Sequence, residues 1–314
     1  MQRKTRWLAV FLSLALFGLV LSACQQSASL KLNLKVGDTF AVHSAVSQDM
    51  SQELMGQPMY IKQNLVFDYT WKVTDVDAEG NATIQVTYDH IAIEQTQNGQ
   101  KVAYDSASDE TPPKFFTGVD AMVGKSYTMV LAPTGKLKDV QGLEELFQEV
   151  TDATDLDDLQ KKSFYQALVE TFGEEAINEQ VDMLFGQYGS APLEVGATWE
   201  ADTEYNALFP LQVHTQYTIK SLEDGKAVIA LDATLKSDPE KIVDDASRIF
   251  KLSYELMGTQ EGTMTVNTAN GMPTESHVTQ HLEGKLYVVN VDTGEKMPIP
   301  MSMDSDIQLS VTQK

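Results

Sequence analysis

The chain has 314 residues, 45 acidic against 23 basic, a formal charge of -22, five histidines and one cysteine. Such an acidic surface repels phosphate backbones and bare anionic lipid, so nucleic acid is excluded as a partner. One cysteine excludes a disulfide framework, a four-thiolate zinc site and a cysteine-held iron–sulfur cluster.

The N-terminus reads as an export signal. Arg3, Lys4 and Arg6 precede an apolar run from Trp7 to Val20. That run is too short for a hydrocarbon core, which needs roughly twenty residues. Leu21-Ser22-Ala23-Cys24 then resembles the lipobox of bacterial lipoproteins: an aliphatic residue, two small ones and a cysteine. The resemblance implies that residues 1–23 are removed, that Cys24 carries a diacylglyceryl group, and that this residue is the lipid attachment site. Several acyl chains on one residue anchor stably, because each buried methylene contributes about 0.8 kcal/mol. Residues 24–29 form a polar tether, Gln25 to Ser29 reaching about 17 Å when extended. By the same resemblance, Gln25 after the cysteine directs a Gram-negative lipoprotein to the outer membrane, facing the periplasm; otherwise the chain sits on the outer face of the cell membrane.

From Leu30 the apolar period is two. Tyr69, Trp71 and Val73 alternate with polar residues, as do Ile84, Val86 and Tyr88 beyond the turn Asp77-Ala78-Glu79-Gly80-Asn81. This predicts a hairpin with one buried face. Gln97-Asn98-Gly99, Pro133-Thr134-Gly135-Lys136, Asn270-Gly271 and Asp292-Thr293-Gly294 predict further hairpin turns, since Gly and Asn accept positive φ. Helical spacing follows in Leu143, Leu146, Phe147 and Val150, and again in Ile177, Val181, Leu184 and Phe185. A middle helix is expected from a cap at Asp155 to Phe172, ended by Gly173.

The second half repeats the order of the first. Leu34-Lys35-Val36-Gly37-Asp38-Thr39-Phe40 matches Leu193-Glu194-Val195-Gly196-Ala197-Thr198-Trp199; the hairpin Val73 to Val86 matches Ile219 to Leu231; Tyr127 to Val130 matches Gly262 to Thr265. A short helix is expected here, capped by Asp238, with Ile242, Ala246, Ile249 and Phe250 on one stripe. The expected fold is α+β, mainly antiparallel β: a first β-rich repeat at 30–142, a helical insert at 143–190 and a second β-rich repeat at 191–314. With its lipobox, Val36-Gly37-Asp38, Tyr104-Asp105-Ser106 and a glycine hairpin leading into helices, the chain resembles a family of bacterial lipoproteins of unknown function. That resemblance implies the anchor and the β-rich build, and transfers no activity.

Candidate chemistry is sparse. His277 and His281 have a metal-pair spacing that works on a helix, but their surroundings alternate like a strand, where four residues span roughly 13 Å. Met50, Met55 and Met59 form one thioether cluster and Met297, Met301 and Met303 another; such sets hold copper(I), yet Met301 and Met303 share parity with Ile307, Leu309 and Val311 and read as core. The first set has no single parity and reads as a mobile loop. Asp75-Val76-Asp77-Ala78-Glu79-Gly80 opens like a calcium loop, but Val86 stands where a bidentate Glu belongs. Pro133-Thr134-Gly135-Lys136 lacks the earlier glycine of a phosphate loop. No Gly-x-Ser-x-Gly elbow or His-Glu-x-x-His pair occurs. The expectation is a non-enzymatic envelope protein with no metal or cofactor, anchored through Cys24. It would hold an apolar ligand between its sheets, or dock an envelope protein through a sheet edge or acidic face.

Overall fold

The computed structural model describes residues 30–54, 56–108, 111–113, 116, 118–185, 188, 193–206, 209–244, 251–290 and 293–314. The strands are β1 (Thr39–Leu54), β2 (Gln57–Val76), β3 (Ala82–Gln97), β4 (Gln100–Asp105), β5 (Ser126–Leu131) and β6 (Leu137–Gln141). Helices α1 (Leu143–Asp152), α2 (Asp158–Phe172) and α3 (Glu174–Phe185) follow. The chain continues through β7 (Thr198–Tyr205), β8 (Leu211–Glu223), β9 (Lys226–Ser237), β10 (Ile242–Asp244), β11 (Lys251–Asn267), β12 (Pro273–Val289) and β13 (Lys296–Gln313).

All strands join one antiparallel sheet in the order β6-β5-β3-β2-β1-β13-β12-β11-β9-β8-β7, with β4 added to β3 and β10 to β11. The mainly antiparallel α+β expectation is borne out. Glycine and asparagine supply the tight turns: Asn98 and Gly99 both have positive φ, as do Asp224 and Gly225. At one end of the strands, here the lower end, lie the turns at 77–81, 132–136, 223–225 and 268–271. The Asp75 to Gly80 stretch is such a turn. Asp77 Oδ1 accepts from the Glu79 and Asn81 amides at 2.9 Å each, so that carboxylate is spent on closing a loop.

One face of the sheet carries Phe40, Trp71, Val86, Ile229, Val266 and Val278, all buried in a single cluster with Leu146, Phe147, Val181 and Phe185 of the helices. Because inward residues from both ends of the strand order share that cluster, the sheet wraps around the helices. Residues 30–34 close the lower end. Leu32 N–H donates to the Pro133 carbonyl (2.8 Å) and Asn33 N–H to the Asn270 carbonyl (2.9 Å), tying the β5–β6 turn to the β11–β12 turn in the other half of the sheet. Tyr188 adds a third tie, its hydroxyl donating to the Gly271 carbonyl while its ring packs on Phe185. Each such large apolar side chain contributes about 1.5–3 kcal/mol by leaving water. Gly258 and Gly262 lie where a neighbouring backbone comes close; an added Cβ would stand 2.1 Å from the His281 carbonyl oxygen and 2.4 Å from that of His277.

Two local expectations need correction. The middle helix is capped by Asp157, not Asp155: Asp157 Oδ1 accepts from Gln160 N–H, and Gln160 Oε1 accepts from Asp157 N–H. Gly173 ends it with φ -72, an ordinary conformation; the glycine is required instead because a Cβ would meet the Val169 carbonyl oxygen at 2.2 Å. The helix expected after Asp238 is not formed at its start. Ile242 to Asp244 pair with Ser253 to Lys251 as β10, since the β-branched Ile242 and Val243 find an open strand edge there. Ala246, Ile249 and Phe250 lie outside the described residues, as do Met55, Asp292 and Cys24.

Candidate functional site

Side chains alternate across a strand, so register decides which residues meet on each face. On the inner face of the eleven strands in the main order, no inward position carries Asp, Glu, Lys, Arg or His. The only polar interruption that crosses several strands is one row. Gln95 of β3 stands opposite Gln63 of β2, then come Gln48 of β1, Ser305 of β13, Gln280 of β12 and Gln260 of β11. Ser305 and Gln260 are buried, while Gln48, Gln63, Gln95 and Gln280 are half-buried. Gln48 Nε2 donates to Ser305 Oγ at 3.5 Å.

Below this row lie Val46, Leu65, Ile93 and Ile307, which continue into the helix-covered core. Above it, Met50 pairs with Met303, and Ile61 and Leu282 flank them. Met303 and Leu282 are buried in a second apolar cluster with Leu235, Val213 and Leu256, whereas Met50, Met59 and Ile61 stay half-exposed. Met50 and Met59 of one methionine cluster and Met301 and Met303 of the other therefore converge on one inner patch. Met59 and Met301 both stand opposite Gln52, whose Nε2 donates to Met50 Sδ at 3.3 Å. Met50 and Met59 belong to regular strands, which corrects the mobile-loop expectation; β1 and β2 extend to the upper turn and pair throughout.

Apolar residues at these positions would avoid the desolvation of amides, so a row of them across a sheet is not a stability device. It offers uncharged donors and acceptors between two apolar zones. That arrangement suits an amphipathic ligand whose head hydrogen-bonds without carrying charge. It supplies no acid or base at that level.

The outer face is the reverse. Every one of the five histidines meets an aspartate of an adjacent strand. His43 Nδ1 lies 2.6 Å from Asp68 Oδ1, His90 Nδ1 2.9 Å from Asp68 Oδ2, and His90 Nε2 2.8 Å from Asp105 Oδ1. His214 pairs with Asp202 (2.8 Å), His277 with Asp306 (2.8 Å) and His281 with Asp304 (2.7 Å). His277 and His281 share a face but hold separate partners, and no group of three or more His, Cys, Asp or Glu among the described residues could hold a metal ion. Hydrogen bonds donated to Asp202 and Asp304 raise the pKa of His214 and His281, while hydrogen bonds from His277 and Gln308 lower that of Asp306. A shallow trough of about 360 Å³ between these rows is lined by Asp49, Glu261, His281, Asp304 and Asp306.

Cys24, the one site residue singled out from the sequence, lies outside the described residues. Among the described residues no helix is long and apolar enough to cross a membrane. The amide row escaped sequence reading because each glutamine alone looks like an ordinary break in an alternating strand. Gln63 between Ile61 and Leu65, and Gln280 between Val278 and Leu282, carried the signal.

A family model described as a family of unknown function (DUF6263) matches residues 79–273. The chain belongs to that family. No curated protein matches it. Among solved structures, a lipovitellin structure concerned with lipid–protein interactions is similar at 9% identity and a TM-score of 0.44, over 88% of this chain and 25% of that one. The chain thus spans a quarter of the lipovitellin chain's length. OccK7 of Pseudomonas aeruginosa is similar at 7% identity and a TM-score of 0.26, over 88% of this chain and 100% of that one. An outer-membrane channel of Pseudomonas putida F1 gives 10% identity and a TM-score of 0.23, over 90% and 97%. At these scores none of the three bears on what this chain binds.

The outer pairs make stability depend on pH. Histidines raised above 6.5 stabilise the fold fully below that value and lose the effect as pH rises through their own pKa. Aspartates lowered below 3.8 stabilise above it and lose the effect as pH falls. The thermal midpoint is expected to peak between about pH 4 and 6.5 and to fall toward pH 8. A midpoint that rises from pH 6 to 8 in a calorimetric series contradicts this.

Proposed function

We propose that the chain is an envelope lipoprotein, anchored through an acylated Cys24, that acts without catalysis by holding an amphipathic ligand against the upper inner face of its sheet. The observation that carries the ligand reading is the row Gln95-Gln63-Gln48-Ser305-Gln280-Gln260, set in a face with no charged side chain and left half-open at four of its glutamines. An acyl chain would lie on Met50, Met59 and Ile61, with its polar end at the amides. The anchor reading rests on the lipobox; it puts the chain at the outer membrane facing the periplasm in a Gram-negative cell, or otherwise on the outer face of the cell membrane.

The sheet itself reads as a duplication with a helical insert, β1-β2-β3-β5-β6 before the helices and β7-β8-β9-β11-β12 after. Matching backbone bonds support this. Gly37 N–H donates to the Val73 carbonyl (2.9 Å) and Gly196 N–H to the Ile219 carbonyl (2.8 Å). Each hairpin has its register shift at that same place, between Val73 and Asp75 and between Ile219 and Ser221. A second reading, docking of a basic envelope protein on the outer face, draws on the carboxylates of the trough.

Protein extracted in mild detergent should carry a lipid-sized adduct in native mass spectrometry. Gln63→Leu should weaken its retention roughly two- to tenfold, the value of one net hydrogen bond. An empty protein, crosslinked in cells to one basic partner, favours docking instead. Labelled palmitate should enter the wild type and not Cys24→Ser; equal labelling overturns the anchor.

A further inference from the structure

The sheet has an unusual side wall at the level of the amide row. β3 pairs with β5 along its lower part, Ala82 to Thr87, and with the six-residue β4 along its upper part, Ala92 to Gln97. On the inner face Tyr104 of β4 stands opposite Ile93, and Val102 opposite Gln95. Tyr104 is buried, while Val102 is 36% exposed. β4 therefore bounds the amide row laterally.

What holds β4 on the outer face is His90. Its Nδ1 faces Asp68 of β2 and its Nε2 faces Asp105 at the end of β4, at 2.9 and 2.8 Å. A carboxylate can only accept, and a neutral imidazole has one N–H. Only the imidazolium donates to both. Without its proton, one of the two contacts sets a nitrogen lone pair against an oxygen lone pair.

We propose that His90 is a proton-operated clasp: as an imidazolium between Asp68 and Asp105 it fastens the Tyr104–Asp105 end of β4, and on losing its proton it releases that end and opens the side of the amide row. This rests on the inner face being the ligand site. The other charged groups nearby set the conditions. Asp68 also takes the His43 imidazole of β1, so the network is His43–Asp68–His90–Asp105 across four strands. On the same strand as His90, Asp89 accepts from the Thr70 hydroxyl of β2 (2.5 Å), to which Lys314 Nζ also donates (3.1 Å). Glu94 and Lys101, 2.7 Å apart, bind β3 to β4 nearer its other end without involving His90. Release is thus confined to the Asp105 end. Asp105 Oδ1 additionally accepts from Ala107 N–H, while Ser106 Oγ accepts from Ile91 N–H and Ser106 N–H donates to the Ile91 carbonyl, so these Ser106 bonds to β3 open together with the clasp.

Burial pushes the His90 pKa down, but the hydrogen bonds to Asp105 and Asp68 outweigh it, and the net direction is up. The Asp105 pKa is lowered, first by His90. The clasp is closed in mildly acidic solution and opens as pH rises through the raised His90 value.

The test is hydrogen exchange of the full chain at about pH 5.5 and 8, corrected for intrinsic rates. Protection at Tyr104 and Ser106, whose N–H groups face β3, should fall about tenfold or more at the higher pH, with the histidine-free strands β9 and β11 unchanged. His90→Gln should abolish that pH dependence and leave the wall in its loosened state. Protection within about twofold at both pH values in the wild type, or a His90→Gln chain that retains the dependence, overturns the clasp. Nitrogen-labelled histidine NMR of the wild type is a second check: a His90 with only one protonated nitrogen at pH 6 overturns it too. Uptake of the apolar dye N-phenyl-1-naphthylamine separates the two claims. Loosening of β4 without dye uptake at either pH overturns the ligand reading and keeps the clasp. Dye uptake with β4 protected at both pH values overturns the clasp and keeps the ligand reading.

Discussion

Segregation of charge by strand parity governs the rest of the structure. The chain carries 68 charged Asp, Glu, Lys and Arg side chains in total, 45 of them acidic, yet none occupies an inward position in the main strand order. A single register slip would turn a whole strand's charges into the core, where each unpaired ion costs several kcal/mol. That penalty is what specifies the register of strands as long as the 20-residue β2. The apolar face must then be covered. The helices and residues 30–34 cover its lower part, and the wrap of the sheet follows from sharing that one cluster.

The helices and residues 30–34 stop short of the upper inner face, which is part buried in the second cluster and part half-exposed at Met50, Met59 and Ile61, and there the pattern changes. Six polar side chains replace apolar ones in a single row that only the register assembles. Stability alone does not select them, since apolar residues at the same positions would avoid the desolvation of amides. On the opposite surface the same strands carry the imidazole–carboxylate pairs. The two faces thus divide the work in the proposed account, the inner one holding a ligand without charge and the outer one linking sheet cohesion to protons. At β4 the two meet, because one strand presents Tyr104 inward and Asp105 outward.

The local features were legible from residues alone. Alternation marked the strands, Asn98-Gly99 and Gly135 marked turns, and the stripe Leu146, Phe147, Val150 marked α1. Boundaries set by competing local chemistry were less so. Asp155 and Asp157 are both plausible caps, and only the reciprocal bond with Gln160 decides between them. The start of the helix expected after Asp238 is a strand instead, because an open edge of β11 outcompetes weak helical spacing at the β-branched Ile242 and Val243. Features that need long-range register were invisible. Nothing near Met50 reveals Met303 beside it, and nothing near His90 reveals Asp68, 22 residues away in sequence. The glutamine row is the extreme case, as its six members come from six strands.

The central claim is that the upper inner face is the occupied surface, and methionine oxidation measures it directly. Met50 and Met59 lie on that face half-exposed, and Met257, 64% exposed, lies on the outer one as an internal control. Brief peroxide treatment of protein taken from the envelope with its ligand, and of the same protein stripped by organic extraction and refolded, should oxidise Met257 equally in both. Met50 and Met59 should be protected only before extraction. Equal oxidation of Met50 and Met59 in the two preparations would contradict the account.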